Sequence, residues 1–274
     1  SQERNPLVAV VELVGLRHAL FQQLIQTGPE PFVVGGIVVE DVDVAAGAVA
    51  DALVVAAGDA DAEALMDRAT AECVADQIAC GVDIPTDGEI RRENYVHYQC
   101  RHFDGFDFAN LTERTLRNGA YKVNLPSIVA PVKARGGSVL ARDWRIAEEA
   151  AGRPVKITLP GPMTISDTTA DVHYKDDEAL AYDLAAALNS EVLALAEAGC
   201  RHIQIDEPIF ARKPTEALAY GVDALARCFH GVPEGVNRVM HMCCGYPEHL
   251  DDEAYKKADP DSYRQLSEAV DRAA

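Results

Sequence analysis

Positive charge is scarce in this sequence: Lys and Arg number 25 against 44 Asp and Glu, a formal net charge of -19 at pH 7. A chain so poor in cations lacks the basic footprint through which proteins hold DNA or RNA, and no nucleic-acid partner is expected. Long uncharged apolar runs are missing as well. The Val- and Ala-rich stretch from Phe32 to Ala57 is broken by Glu40, Asp41, Asp43 and Asp51, short of the ~18 to 20 apolar residues of a membrane-spanning helix. No membrane partner is expected either. There is no internal repeat, no low-complexity linker and no basic-then-apolar leader pattern after Ser1, so one domain over residues 1–274 is the simplest organisation. Seven cysteines, an odd number, are scattered through a chain large enough to need no disulfide staples. Reduced thiols and a cytoplasmic location follow as expectations.

What is present is ordinary for a globular enzyme: 48% hydrophobic and 25% charged residues. From Asp59, DADAEALMDRATAECVADQIACG reads as an amphipathic helix with acids at its start and Gly81 as its C-cap, followed by the apolar VDIP. The same grammar recurs. DDEALAYDLAAALNSEVLALAEAG is a long helix stopping at Gly199, with CRHIQIDEP as a short strand after it; PTEALAYGVDALARCFHG closes at Gly231 before NRVMHMCCG. Six strands are expected: Phe32 to Val39, Val82 to Thr86, Tyr121 to Pro131, Val155 to Pro160, His202 to Asp206 and Arg238 to Cys243. Alternating strands and helices predict a parallel α/β sheet with ligands at strand C-termini, in a (β/α)8 barrel or in a doubly wound sheet; periodicity does not choose between them. After Cys243 there is room for a helix over Pro260 to Ala274 but for no further strand. A barrel would therefore lack its last two strands in this chain and be C-terminally incomplete.

Four segments carry candidate chemistry. In MHMCCG, His241 and Cys243 stand two apart, which on a strand presents an imidazole and a thiolate on one face, half of a zinc site. The bland alternative is a pair of small buried cysteines beside a satisfied histidine. In IQIDEP, an apolar strand delivers Asp206 and Glu207; neighbours point apart, so only one of them can face a shared pocket, and capping of a following helix is the bland alternative. In TDGEIRREN, Asp-Gly makes a tight turn and Glu89 opens the next segment, where it could meet a cationic amine, or simply join a charged helix face. In LPGPMT, a strand runs into a stiff loop whose helix N-terminus could receive an anion.

Taken together, TDGEIRRENYVHYQCRHFDGF from Thr86, KITLPGPMTI from Lys156, IQIDEPIFARKP from Ile203 and HMCCGYP from His241 resemble the cobalamin-independent methionine synthase family and its single-barrel relatives, in the family's order. The resemblance implies a (β/α)8 TIM barrel, with His241 and Cys243 on the family's H-x-C zinc pair. It also implies that Asp206 and Glu89 hold the amino group of homocysteine, with Asn94 beside them in the substrate site. The implied reaction is zinc-dependent methyl transfer from a folate-type donor to a thiol such as homocysteine, giving methionine. Zinc would be the cofactor, and the small-molecule thiol and the methyl donor the partners. Arg91, Arg92, Lys122, Lys133, Arg212 and Lys213 are the cations available to a polyanionic donor tail. Two alternatives remain open: alkyl transfer to another thiol, as in an epoxide:coenzyme M transferase, and a non-catalytic barrel paralogue. The family's other zinc ligands and its proton-donating His lie downstream of the H-x-C strand. Its Gly-Ser turn near the first strand finds only Gly35 and Gly36 here. An incomplete barrel would expose strand edges, which calls for a homo-oligomer or a partner completing the barrel.

Overall fold

The protein is seen in a computed structural model that describes residues 32–34, 37–39, 59–116, 121–243 and 257–273. In chain order the elements are β1 (Phe32–Val34), β2 (Ile37–Val39), α1 (Asp59–Ala79), α2 (Tyr95–Cys100), β3 (Phe103–Leu116), β4 (Tyr121–Ala134), α3 (Leu140–Ala151), β5 (Lys156–Pro160), α4 (Pro162–Asp167), β6 (Ala170–Asp171), α5 (Asp177–Ala198), β7 (His202–Asp206), α6 (Pro214–Glu216), α7 (Val222–Cys228), β8 (Asn237–His241) and α8 (Asp261–Ala273). A 3-10 turn over Pro208–Ala211 follows β7, and a π-helical turn over Ala217–Gly221 joins α6 to α7.

Parallel strands need a crossover, and the sequence supplies helices for it. The central sheet is β5-β7-β8, all parallel and in matched register: Lys156 pairs with His202 and His202 with Asn237, while Pro160 pairs with Asp206 and Asp206 with His241. The crossover helix α5 is framed by its own sequence. Asp176 caps its N-terminus by accepting from Ala179 N at 3.1 Å, Asp177 and Glu178 sit in the first turn, and Gly199 ends it at φ 114°. Leu180, Leu184, Leu188, Val192 and Leu195 recur along one side and are all fully buried. At 22 residues α5 is apolar and long enough to cross a membrane by length and composition. It packs instead against β4, α4, α3 and α7 as a helix of the core.

The α/β class is as expected, but several strands differ. Among the described residues there is no closed (β/α)8 barrel; the strands fall into three separate sheets. Phe32 to Val39 is not one strand but two, with β1 antiparallel to β2 from Phe32 opposite Val39 to Val34 opposite Ile37. The Gly-Gly between them in the sequence is a two-residue hairpin signal. Tyr121 to Pro131 is a strand, yet an antiparallel one: β4 pairs with β3, and the short β6 joins β4 in parallel. The hairpin was hidden because β3 breaks its alternation at Gly105, where the register shifts and φ is 94°. A side chain there would strike the Ala130 and Pro131 carbonyls, so only glycine admits the bulge. Val82 to Thr86 contributes a single bridge, Thr86 to Lys156. The Gln77 side chain accepts from Thr86 N at 2.9 Å and donates to Thr86 O at 3.0 Å, taking the groups a strand neighbour would use.

Two predictions test this core. Leu188→Ala should cost about 2 to 5 kcal/mol in denaturant unfolding, because a fully buried leucine leaves a cavity. The second concerns Asp143 on α3, which accepts from Tyr98 Oη at 3.0 Å and lies 3.7 Å from Arg91 Nε. Burial pushes its carboxyl up to about 6. The folded state then binds the proton better than the unfolded state between roughly pH 4 and pH 6, so this group destabilises the fold progressively as pH rises through that window. Asp143→Asn should gain on the wild type by up to ~3 kcal/mol between pH 4 and pH 7 in urea titrations; parallel pH curves would contradict the assignment.

Candidate active site

Residues in a strand alternate faces, and here the alternation sorts by chemistry. Ile157, Leu159, Ile203 and Ile205 are fully buried in the core. In the opposite phase stand Lys156, Thr158, Gln204 and Asp206, with His241 paired to Asp206 at the C-terminal edge of the sheet. Asp206 is 8% exposed and accepts from Gln204 Nε2 at 2.6 Å, while Lys156 Nζ donates to Gln204 Oε1 at 2.6 Å. Burial raises the Asp206 carboxyl above its ordinary range. The Gln204 hydrogen bond and the charges of His241 and Lys156 pull it back, and Glu89 pushes it further up. Glu89, Asp206 and His241 thus share one electrostatic neighbourhood.

Glu207 turns away from that face, as the opposed directions of strand neighbours require. Its N–H donates to His241 O at 2.9 Å, which extends the β7–β8 pairing by one bond. Its carboxylate, fully buried, accepts from Met163 N at 2.9 Å, Thr164 N at 3.0 Å and Thr164 Oγ1 at 2.8 Å. The acceptor at the LPGPMT helix start is therefore internal, in place of an outside anion: the Glu207 carboxyl itself occupies the N-terminus of α4. Gly161 lies so close that a Cβ there would run into the Glu207 carboxyl. Burial pushes Glu207 up to about 8, against the pull of these three donors.

Glu89 arrives from the turn after the Thr86 bridge, in a left-handed conformation at φ 54°. Its Oε1 accepts from Thr158 Oγ1 at 2.9 Å and from Arg92 Nη1 at 3.2 Å. Arg92 is buried; it also donates to Thr158 O at 2.9 Å and to Asp87 Oδ2 at 3.0 Å. Tyr95, at the start of α2, completes the cluster: burial raises its phenol first, followed by the charges of Asp206, Glu207, Glu89 and Cys243. It is a protonated donor beside four acidic groups. Sequence reasoning assigns no role to Tyr95 or Thr158, although both lie within its motifs, and it offers Arg92 only as a cation for a polyanionic tail. Burial of a polar residue type within a strand or turn is the signal that marks them, and it is visible only after folding.

The structure thus brings Glu89, Asp206, His241 and Cys243 into one region. Asn94 stands apart in role: its Oδ1 accepts from Val96 N and His97 N at 3.0 Å each and caps α2, leaving its amide nitrogen as the group a substrate could meet. β8 ends at His241, so Cys243 follows the strand rather than continuing it, and strand phase alone does not align the pair. The donor chemistry of an imidazole and a thiol suits zinc. Among the described residues no group of three or more such side chains comes together, and Cys244 lies outside them. Of the cations considered for a polyanionic tail, Arg92 is consumed by Asp87 and Glu89, and Arg91 by Asp67, Glu63 and Asp143. A cavity of about 420 Å³ opens elsewhere, lined by Arg114, Asp167, Lys175, Lys213 and Tyr220 among others, and none of Glu89, Asp206, His241 or Cys243 lines it.

Comparison with known proteins places these residues in context. The family described as "Cobalamin-independent synthase, Catalytic domain" matches residues 21–261. A protein named methionine synthase from Saccharolobus solfataricus is 36% identical over 172 residues, 62% of this chain and 49% of that one. One from Sulfurisphaera tokodaii is 32% identical over 194 residues, 70% of this chain and 55% of that one. The chain spans about half the length of these curated relatives. Among solved structures, a B12-independent methionine synthase from Shewanella sp. W3-18-1, in complex with selenomethionine, superposes with a TM-score of 0.64 at 32% identity, covering 76% of this chain and 60% of that one.

The internal cap on α4 should be expensive to disturb. Thr164→Val removes the hydroxyl shared by Glu207 Oε2 and Asp206 O and should cost about 1 to 3 kcal/mol, because both acceptors stay buried. Gly161→Ala should cost a similar amount by pushing the Glu207 carboxyl out of place. Thermal unfolding of either variant indistinguishable from wild type would remove the cap from the account.

Proposed function

This chain belongs to the cobalamin-independent methionine synthase family, and from that premise we propose that it carries the catalytic part of a zinc-dependent methyltransferase. The reaction is transfer of a methyl group from a folate-type donor to the thiol of homocysteine, giving methionine. The observation that supports it is the pairing of Asp206 with His241 at the C-terminal edge of a parallel sheet, with Glu89 in the same neighbourhood. We read that sheet as an arc of a (β/α)8 barrel, whose chemistry sits at this edge.

Each residue has a task in that reading. Asp206 and Glu89 are acceptors for the ammonium group of homocysteine. Arg92 and Thr158 fix the Glu89 carboxylate, and Glu207, through α4, fixes the loop after β5 and the peptide that bonds to His241. His241 and Cys243 would hold zinc, which when bound lowers a thiol pKa so that a thiolate is present at neutral pH. Asn94 would contact the substrate through its amide nitrogen. The free thiols of Cys73, Cys80, Cys100, Cys200, Cys228 and Cys243 suit a reducing cytoplasm.

Elemental analysis tests the metal. In the full gene product about one zinc per chain is expected, falling sharply in His241→Ala; no zinc there after purification without chelators and after reconstitution would sink the mechanism. Steady-state kinetics test the carboxylates. Asp206→Asn and Glu89→Gln should each raise KM for homocysteine by about 10- to 100-fold, since each removes a charged partner of the ammonium. KM for the methyl donor should move far less. Equal effects on both substrates would argue for general disorder of the site.

A further inference from the structure

Lys156, Gln204 and Asp206 form a hydrogen-bonded chain along the polar face of the sheet, with both contacts at 2.6 Å. Its direction is dictated by chemistry. An ammonium has three donors and no acceptor, so only the Gln204 carbonyl oxygen can meet Lys156; the amide is then obliged to turn its NH2 group to Asp206. The carboxylate favours the same orientation, since oxygen against oxygen repels, and the lysine reinforces it by claiming the amide oxygen from the other side. The bond commits Asp206 Oδ1 and leaves Oδ2 for a ligand. A neutral donor matters here. A lysine bonded directly to Asp206 would compete with an incoming ammonium for the carboxylate charge, whereas an interposed amide fixes the geometry and leaves that charge available.

We propose that Gln204, oriented by Lys156, is a positioning residue that presents the Asp206 carboxylate to the ammonium of an amino-acid thiol, so that the site selects such thiols over those without an amino group. The inference rests on the homocysteine reading above and names what sets its substrate class. Gln204 does not touch the substrate; it acts through Asp206.

The test compares homocysteine with 4-sulfanylbutanoate, the same thiol acid without its amino group, by calorimetric binding and by kinetics. Gln204→Met keeps much of the side-chain volume and adds no charge, but removes the donor to Asp206. It should weaken homocysteine by about tenfold or more, raising KM with little change in kcat, while 4-sulfanylbutanoate moves less than about twofold. Lys156→Met, at a half-buried position, should shift homocysteine the same way by a smaller factor, and carries the test should the first variant not fold. Equal weakening of both ligands, or none of either, overturns the inference while leaving the homocysteine reading intact. A wild-type protein that binds 4-sulfanylbutanoate as tightly as homocysteine, or binds neither, overturns both.

Discussion

The buried carboxylate of Glu207 is the constraint on which the candidate site depends. Full desolvation pushes that carboxyl up to about 8, and the N-terminus of α4, where two backbone N–H groups and the Thr164 hydroxyl converge on it, holds it in place. The consequence is geometric. β5 leads into α4 through Gly161, β7 ends in Asp206 and Glu207, and β8 ends in His241, whose carbonyl accepts from the Glu207 peptide. One residue, through its side chain toward α4 and its peptide N–H toward His241, therefore ties three strand ends together. The adjacent Asp206 is held facing the other way by the same alternation, with Thr164 Oγ1 also donating to its carbonyl at 3.0 Å.

Arg92 performs a similar service one loop earlier. Its guanidinium is spread over Asp87, Glu89 and both oxygens of Thr158, which ties the Thr86–Glu89 turn to β5. Removing one member of such a buried group leaves the others uncompensated, so it is worth more as a specifier of geometry than as net stability. Glu89 is the member left part-exposed, at 40% of its side chain against 1% for Arg92. The network anchors one end of the acid and leaves the other accessible, as expected for a group that must be both fixed and available.

Much of this was legible in the sequence, and the exceptions have physical causes. The helices α1 and α5 could be read because apolar periodicity and glycine stops act locally. β5 and β7 were found to within a residue for the same reason. The hairpin of β3 and β4 was not, because its pairing joins residues far apart in the chain and its alternation breaks at Gly105. Thr86 looked like the end of a strand, but Gln77, from a different element, claims its backbone. The LPGPMT helix start reads as a site for an outside anion because nothing local indicates that the Glu207 carboxyl, over forty residues downstream, returns to that helix. Asp206, Glu89 and His241 can be singled out because the motifs that carry them are contiguous, and the fold brings them into one neighbourhood. Asn94 lies within one of those motifs too, yet its carbonyl is spent on a helix cap, a use that sequence patterns do not separate from ligand binding.

The charge balance at the strand ends gives the last step. Glu89 and Asp206 lie close enough to raise the Asp206 carboxyl together with burial, and Tyr95 is raised by the same acids. Lys156 answers this excess only at one remove, through Gln204, while Arg92 bonds Glu89 directly and divides its charge among Glu89, Asp87 and Thr158. The local field is therefore negative and under-compensated within the described residues, in a place where desolvation makes each charge strongly felt. Such a site is complementary to cations, and the two cations in the proposed reaction, a zinc ion beside His241 and Cys243 and an ammonium beside Asp206 and Glu89, would each supply what the protein withholds. The net acidity of the whole chain does not explain this, since surface acids are screened and distant. The explanation lies in which acids the strand ends bury and, among the described residues, in a Lys156 that reaches Asp206 only through Gln204.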